Sequence, residues 1–156
     1  MVIQRWQSVL LLITAVMMAC FTFLSLGQVQ LPDYSLNFTT LGFTYEGVAT
    51  AGSPSGYYAH TWAFFIVSLL SIILPAINIF LFKNLRLQKN VCLIEVFFLI
   101  ALLAIGIVYG YYYFDDAYVS WSSIIIAPLI AFVSDLMAYN RINSDQRLLK
   151  AADRLR

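Results

Sequence analysis

Four long apolar stretches constrain this chain more than any other feature of its sequence. Residues 6–26 and 61–82 contain no charged side chain, and residues 91–113 and 118–139 contain one acid each. A helix needs about 20 apolar residues to cross the hydrocarbon core of a bilayer. Each stretch is long enough, so we predict an all-α membrane protein whose domain is a four-transmembrane-helix bundle.

The composition excludes an ordinary soluble domain. Hydrophobic residues make up 62% of the 156 residues and charged residues only 11%, whereas soluble domains average about 25% charged residues. The surplus apolar surface must therefore face lipid, and the lipid bilayer is the first predicted partner. A polar outer loop (27–60), a short loop (83–90), a turn (114–117) and a tail (140–156) connect and close the spans.

The positions of the basic residues predict the direction of the spans. All nine Lys and Arg residues lie before the first stretch, between the second and third, or after the fourth. The other two connections contain none of them and hold Asp33, Glu46, Asp115 and Asp116. Because basic residues are retained in the cytoplasm, we expect a multi-pass protein with both termini on the cytoplasmic side.

The outer loop contains a pattern typical of β-strands. Leu36, Phe38 and Thr40 alternate with polar residues, and Leu41-Gly42 can reverse the chain. This predicts a small outer β-hairpin over the end of the bundle. Two roles are open for the loop: it covers the bundle end, or it offers a docking surface to an extracytoplasmic partner.

The tail predicts a short cytoplasmic helix. Ser144 can cap a helix that runs to Arg156, with Ile142 and Leu149 near one face and basic residues around it. Such a helix would lie at the membrane surface among anionic headgroups. The alternative is a basic tail that only sets the topology.

Polar residues inside the spans are costly, so each is a functional hypothesis. Glu95, Asp135 and Asn78 all lie about one turn, roughly 6 Å, inside the cytoplasmic ends of their spans. They form a candidate intramembrane polar layer that is an internal packing network, a proton- or cation-binding half-site, or a contact with another subunit. Two facing carboxylates would repel unless a cation intervenes, and long basic side chains can reach inwards. The candidate cationic partners are Arg5, Lys83, Arg86 and Arg141.

Two small residues on the third span predict close helix packing. Gly106 and Gly110 form a GxxxG pattern, which lets helices approach one another. The neighbour is either another helix of the same chain, which we favour, or a second subunit.

The sequence lacks the motifs of an enzyme. It contains no Gly-rich phosphate loop and no HExxH motif, and His60 is its single histidine. We assign apolar packing to Cys20 and Cys92, which belong near opposite membrane faces. We therefore predict no enzyme, no catalytic residues, no cofactor and no metal, and the cytoplasmic elements are too small to recognise nucleic acid.

Three cytoplasmic segments carry a family resemblance: Ile3-Gln4-Arg5-Trp6-Gln7-Ser8, Leu81-Phe82-Lys83-Asn84-Leu85-Arg86-Leu87-Gln88 and Ala152-Asp153-Arg154-Leu155-Arg156. Together they resemble a family of small four-span proteins of Bacteroidota, described as domain of unknown function 4293. The resemblance implies a bacterial inner-membrane location and supplies no activity or site residue. It directs the search for an interaction to the cytoplasmic rim.

These observations predict an uncharacterised inner-membrane protein that serves as a non-catalytic accessory or scaffolding subunit, with other inner-membrane subunits as partners. The alternative is a small oligomeric transporter or ion-coupled protein that uses Glu95 and Asp135.

Overall fold

Four long helices dominate the computed structural model, which describes residues 2–31, 34–46, 56–113 and 118–154. All four are long and apolar enough to cross a membrane, as hydropathy predicted. They are α1 (Val2–Phe23), α2 (Trp62–Phe80), α3 (Leu85–Tyr113) and α4 (Ala127–Arg154).

The helices form a four-membered ring. α1 packs against α2 and α4, and α3 packs against the same two helices from the other side. A single 3-10 turn, Leu81–Lys83, connects α2 to α3, and so short a connection makes consecutive helices antiparallel neighbours. The bundle therefore has one end with the α2–α3 turn and an opposite end where the longer connections lie.

A five-stranded antiparallel sheet covers that opposite end. The order of its strands is β4-β3-β2-β1-β5, so the predicted hairpin, β2 and β3, is the centre of a larger sheet. The strands are β1 (Gly27–Gln30), β2 (Ser35–Thr39), β3 (Gly42–Glu46), β4 (Tyr57–His60) and β5 (Tyr118–Trp121).

The start of the fourth predicted span is a strand. Residues 118–121 pair with β1 in the register Val29↔Val119, and α4 begins only at Ala127 after a 3-10 turn. Hydropathy included this segment because strands and membrane helices both use aromatic and β-branched residues. The turn predicted at 114–117 lies outside the described residues.

The tail does not form a separate helix. α4 continues without interruption to Arg154, since the sequence has no Gly or Pro after Pro128 to end it. The Ser144 hydroxyl donates a hydrogen bond to the Asn140 carbonyl at 3.0 Å. This is a bond inside the helix, one turn back, and not the N-terminal cap that we predicted.

The main apolar core lies between the sheet and the adjoining half of the bundle. Phe38 and Phe43 stack with ring centroids 4.6 Å apart, and Phe21 meets Phe64 edge to face at 5.8 Å, an arrangement that aromatic pairs favour. A smaller cluster of Leu11, Cys92, Ala138 and Ile142 lies towards the opposite end.

Large apolar side chains also cover the outside of the helices. Phe97, for example, is 68% exposed and Phe80 is 79% exposed. A soluble monomer rarely exposes apolar surface so continuously, whereas a helix bundle in lipid requires it.

Candidate functional site

The three residues of the predicted polar layer lie together inside the bundle. Asn78 on α2, Glu95 on α3 and Asp135 on α4 each have 0% of their surface exposed. The carboxyl groups of Glu95 and Asp135 are neighbours at the contact between α3 and α4. The Asn78 Nδ2 group donates to Cys92 Sγ at 3.1 Å and connects α2 to α3.

Helical spacing explains why these side chains meet. Asn78 continues a buried stripe on α2 that contains Ser68, Ser71 and Pro75, at intervals of three or four residues that keep one face inward. On α4, Asp135 lies in a stripe with the fully buried Ala131 and Ala138. These small side chains leave room for the longer Glu95 side chain to reach α4.

Cys92 belongs to the same group, which the sequence analysis missed. The apolar packing that we predicted for Cys92 is confirmed by its cluster with Leu11, Ala138 and Ile142, but its thiol also lies between the Asn78 amide and the Asp135 carboxyl group. The available signal was its spacing, since residues three apart on a helix share a face and Cys92 precedes Glu95 by three. We call Asn78, Cys92, Glu95 and Asp135 the buried polar group.

No hydrogen-bond donor is aligned with the carboxyl oxygens of this group in the described part of the chain. All four oxygens of Glu95 and Asp135 are buried and unpaired, and so is Asn78 Oδ1. The Cys92 thiol and the Glu95 carboxyl group are adjacent to Asp135 without satisfying those oxygens. A buried polar atom without a partner is costly, so this group is the least satisfied part of the described interior.

The predicted cationic partners do not reach the acids where the structure describes them. Arg86 and Arg141 are exposed, and neither donates to a Glu95 or Asp135 oxygen. Arg86 lies about two and a half helical turns before Glu95, and therefore on the opposite side of α3. The prediction considered only depth and ignored this rotation. The side chains of Arg5 and Lys83 lie outside the described structure.

We call the bundle end with the α2–α3 turn the basic end, because the Lys and Arg residues of the described chain belong to it. Polar side chains at this end are paired with one another across the helices. The Lys89 ammonium donates to Asn143 Oδ1 at 2.9 Å and lies 5.2 Å from the centre of the Tyr139 ring. Gln7 donates to Asp145 and so joins α1 to α4. Gln88 Nε2 donates to the Asn78 backbone carbonyl at 3.4 Å, which connects this end to the residue that begins the buried polar group.

Gly106 packs inside the chain. A Cβ atom at this position would lie 3.6 Å from the Phe64 ring of α2, an ordinary contact distance. Next to it is an apolar cavity of about 110 Å³, between the sheet and the helices, whose lining includes Phe21, Phe38 and Leu102. The surroundings of Gly110 are not among the described features.

Within the described ranges, no three His, Cys, Asp or Glu side chains are arranged to hold a metal ion. The buried polar group offers two carboxyl groups, a thiol and an amide.

The model of the family described as domain of unknown function 4293 matches residues 3–155 of the sequence. The chain belongs to this family. Domain of unknown function 4293 thus covers the complete bundle, the sheet and the buried polar group as one unit, and the resemblance noted in the cytoplasmic segments is confirmed at the level of the family. No curated protein matches the chain.

Proposed function

We propose that this chain is an integral protein of a bacterial inner membrane, from Bacteroidota, with both termini in the cytoplasm and the sheet outside. Every Lys and Arg in the described residues belongs to the bundle end opposite the sheet, and basic ends are retained on the cytoplasmic side. A fluorescent protein fused after Arg156 should fold and fluoresce in this orientation. A reporter enzyme that becomes active only after export, fused at the same position, should be inactive. Activity of that reporter would contradict the orientation.

Within the membrane, we propose that it acts as a non-catalytic accessory or scaffolding subunit. The observation that carries this proposal is the five-stranded sheet, which joins both outer connections into one ordered layer. A row of polar residues crosses its outward side in the register Ser120↔Gln28↔Asn37↔Thr44. β4 and β5 form the edges of the described sheet, and strand edges are surfaces on which another chain can pair.

The polar groups at the basic end support this assignment by contrast. Gln7, Asp145, Lys89 and Asn143 are paired with one another and so tie the helices together. The family resemblance in the sequence had directed the search for a partner to this basic end. We place the docking surface on the sheet, where Tyr118 of β5 is 74% exposed.

Site-specific photocrosslinking in cells tests the docking surface. A photoreactive amino acid at Tyr118 should yield a covalent adduct with one defined polypeptide, identified by mass spectrometry after purification in mild detergent. Phe97, which is similarly exposed on the lipid side of α3, is the matched control and should give no protein adduct. A monomer without an adduct from either β5 or β4 would refute the accessory role.

The ion-coupled alternative has one observation in its favour, the fully buried acid pair. Between this pair and the sheet, however, the interior is apolar, with Phe64, Leu99 and Leu102 fully or almost fully buried. The hydroxyls nearby bond to backbone carbonyls, Ser71 to Val67 at 3.0 Å, and Thr14 to Leu10 at 3.1 Å and to Ala131 of α4 at 3.4 Å. A transport pathway usually offers polar groups at that depth, so we rank this function second.

A further inference from the structure

The buried acid pair requires a neutralising charge that the described structure does not supply. Two neighbouring ionised carboxylates with no hydrogen-bond donor at any of their oxygens repel each other strongly in an interior of low dielectric constant. Neither Glu95 nor Asp135 has any exposed surface, so water cannot screen that repulsion. Something positive must lie between or beside them.

The candidates for that positive charge can be compared. Lys89 donates to Asn143 and lies over Tyr139, and Arg86 and Arg141 are exposed. No three His, Cys, Asp or Glu side chains are arranged to hold a metal ion in the described residues. A proton needs neither a further ligand nor space, because one carboxyl group can donate it directly to the other.

The surroundings of the pair contain no other acid or base among the described residues except the Cys92 thiol. α2 contributes the Asn78 amide, and the nearby part of α1 contributes Leu11 and Thr14, which do not titrate. The Asn78 Oδ1 atom is fully buried and unpaired although the same amide group donates to Cys92. This unsatisfied acceptor outside the acid pair indicates that the buried polar group has fewer hydrogen-bond donors than acceptors.

We propose that Glu95 and Asp135 form a buried proton-binding site in which the two carboxyl groups share one proton. In the occupied state, one carboxyl group donates its O–H to an oxygen of the other and the pair carries a single negative charge. Release of the proton to water leaves two carboxylates. This assignment goes beyond the accessory role and does not depend on it.

The two acids have no exposed surface, so the groups on either side of them decide where a proton can exchange. Gln88, whose Nε2 donates to the Asn78 backbone carbonyl and whose Oε1 is unpaired, lies between the buried polar group and the basic end. On the other side lies the apolar core that contains Leu99 and Leu102. We therefore expect the proton to exchange with the basic end of the bundle and not to cross to the sheet.

Infrared spectroscopy of the full chain in lipid nanodiscs at neutral pH tests the site. We expect a C=O stretching band of a protonated carboxyl group that shifts in D₂O. It should disappear in both Glu95→Gln and Asp135→Asn, because the introduced amide supplies a donor and leaves the remaining acid ionised. Glu46→Gln, which removes an acid of the sheet that accepts a hydrogen bond from Gln28, should keep the band.

Either of two results would overturn the proposal: no such band in the wild-type protein at neutral pH, or a band that survives both substitutions at the pair. If the variants do not fold, the wild-type protein still decides the question. Unfolding it at neutral pH in weak buffer should release about one proton per chain, because the separated acids ionise in water. No release would show that the folded pair holds no proton.

Discussion

Asn78 of α2 donates a hydrogen bond to the sulfur of Cys92 of α3, with Nδ2 and Sγ 3.1 Å apart and both residues fully buried. The backbone carbonyl of the same asparagine accepts a hydrogen bond from Gln88 Nε2. One residue near the end of α2 is thus joined to α3 at two points. This double connection holds α2 against α3 just before the turn that links them.

Replacing Asn78 should loosen that connection. We expect Asn78→Ala to lower the free energy of unfolding by about 1–3 kcal/mol, because it removes a buried hydrogen bond and leaves a small void. Thermal unfolding in mild detergent measures the effect. Asn90→Ala, at an exposed position of α3, is the control and should change little; equal effects from both would argue against the Asn78–Cys92 bond.

Gly42 should tolerate no side chain. Its φ of +151° lies in a region that favours glycine, and a Cβ atom there would be 2.2 Å from the Ala59 carbonyl oxygen of β4. Gly56 has a φ of +103° but nothing within 4 Å of such an atom. Gly56→Ala should therefore cost only the conformational strain, about 1–2 kcal/mol, whereas Gly42→Ala should also separate β3 from β4 and reduce the yield of folded protein. Similar yields would refute the close approach.

Paired cysteines can test the position of β5. Gln28 and Ser120 are directly opposite each other on β1 and β5, and neighbouring strands place Cα atoms within the range of a disulfide. We expect Gln28→Cys/Ser120→Cys to form an intramolecular disulfide on mild oxidation, detected by peptide mass spectrometry. Gln28→Cys/Thr44→Cys is the control, because β2 separates these two strands. Failure of the first pair to cross-link would contradict the pairing of β5 with β1 and would favour the prediction that residues 118–121 belong to the fourth span.

Gly106 distinguishes packing within the chain from packing between subunits. Gly106→Ala adds a methyl group at an ordinary contact distance from Phe64 and should raise the free energy of unfolding by about 0.5–1 kcal/mol through helix propensity. The reciprocal change at an exposed position of α3, Ala104→Gly, should lower it by a similar amount. Native mass spectrometry provides the second measurement, since a contact between subunits through Gly106 would appear as a loss of oligomer in Gly106→Ala.

Depth was predictable from the sequence, but rotation and strand pairing were not. Asn78, Glu95 and Asp135 were placed in one layer by counting residues from the span ends, because each residue of a helix advances by a fixed rise. The same count chose Arg86 as a partner, although its rotation about α3 directs it away from Glu95. Cys92 was missed because its apolar character concealed its position beside Asp135.

The sheet was underestimated for a different reason. The alternation from Leu36 to Thr40 identified β2 and β3, since a hairpin is a local pattern. β5 pairs with β1, although α2 and α3 separate the two strands in the sequence. A local residue pattern does not predict pairing with a strand so distant in the chain. Its apolar residues matched a membrane span equally well.

That pairing imposes an order on the assembly of the protein. β1 follows α1 directly in the chain, but its neighbour β5 is synthesised only after α2 and α3. During translation, one edge of β1 must therefore wait without its partner, and unpaired edges invite association with other chains. The last strand closes that edge just before α4 is made, so completion of the sheet transfers the open edge from β1 to β5.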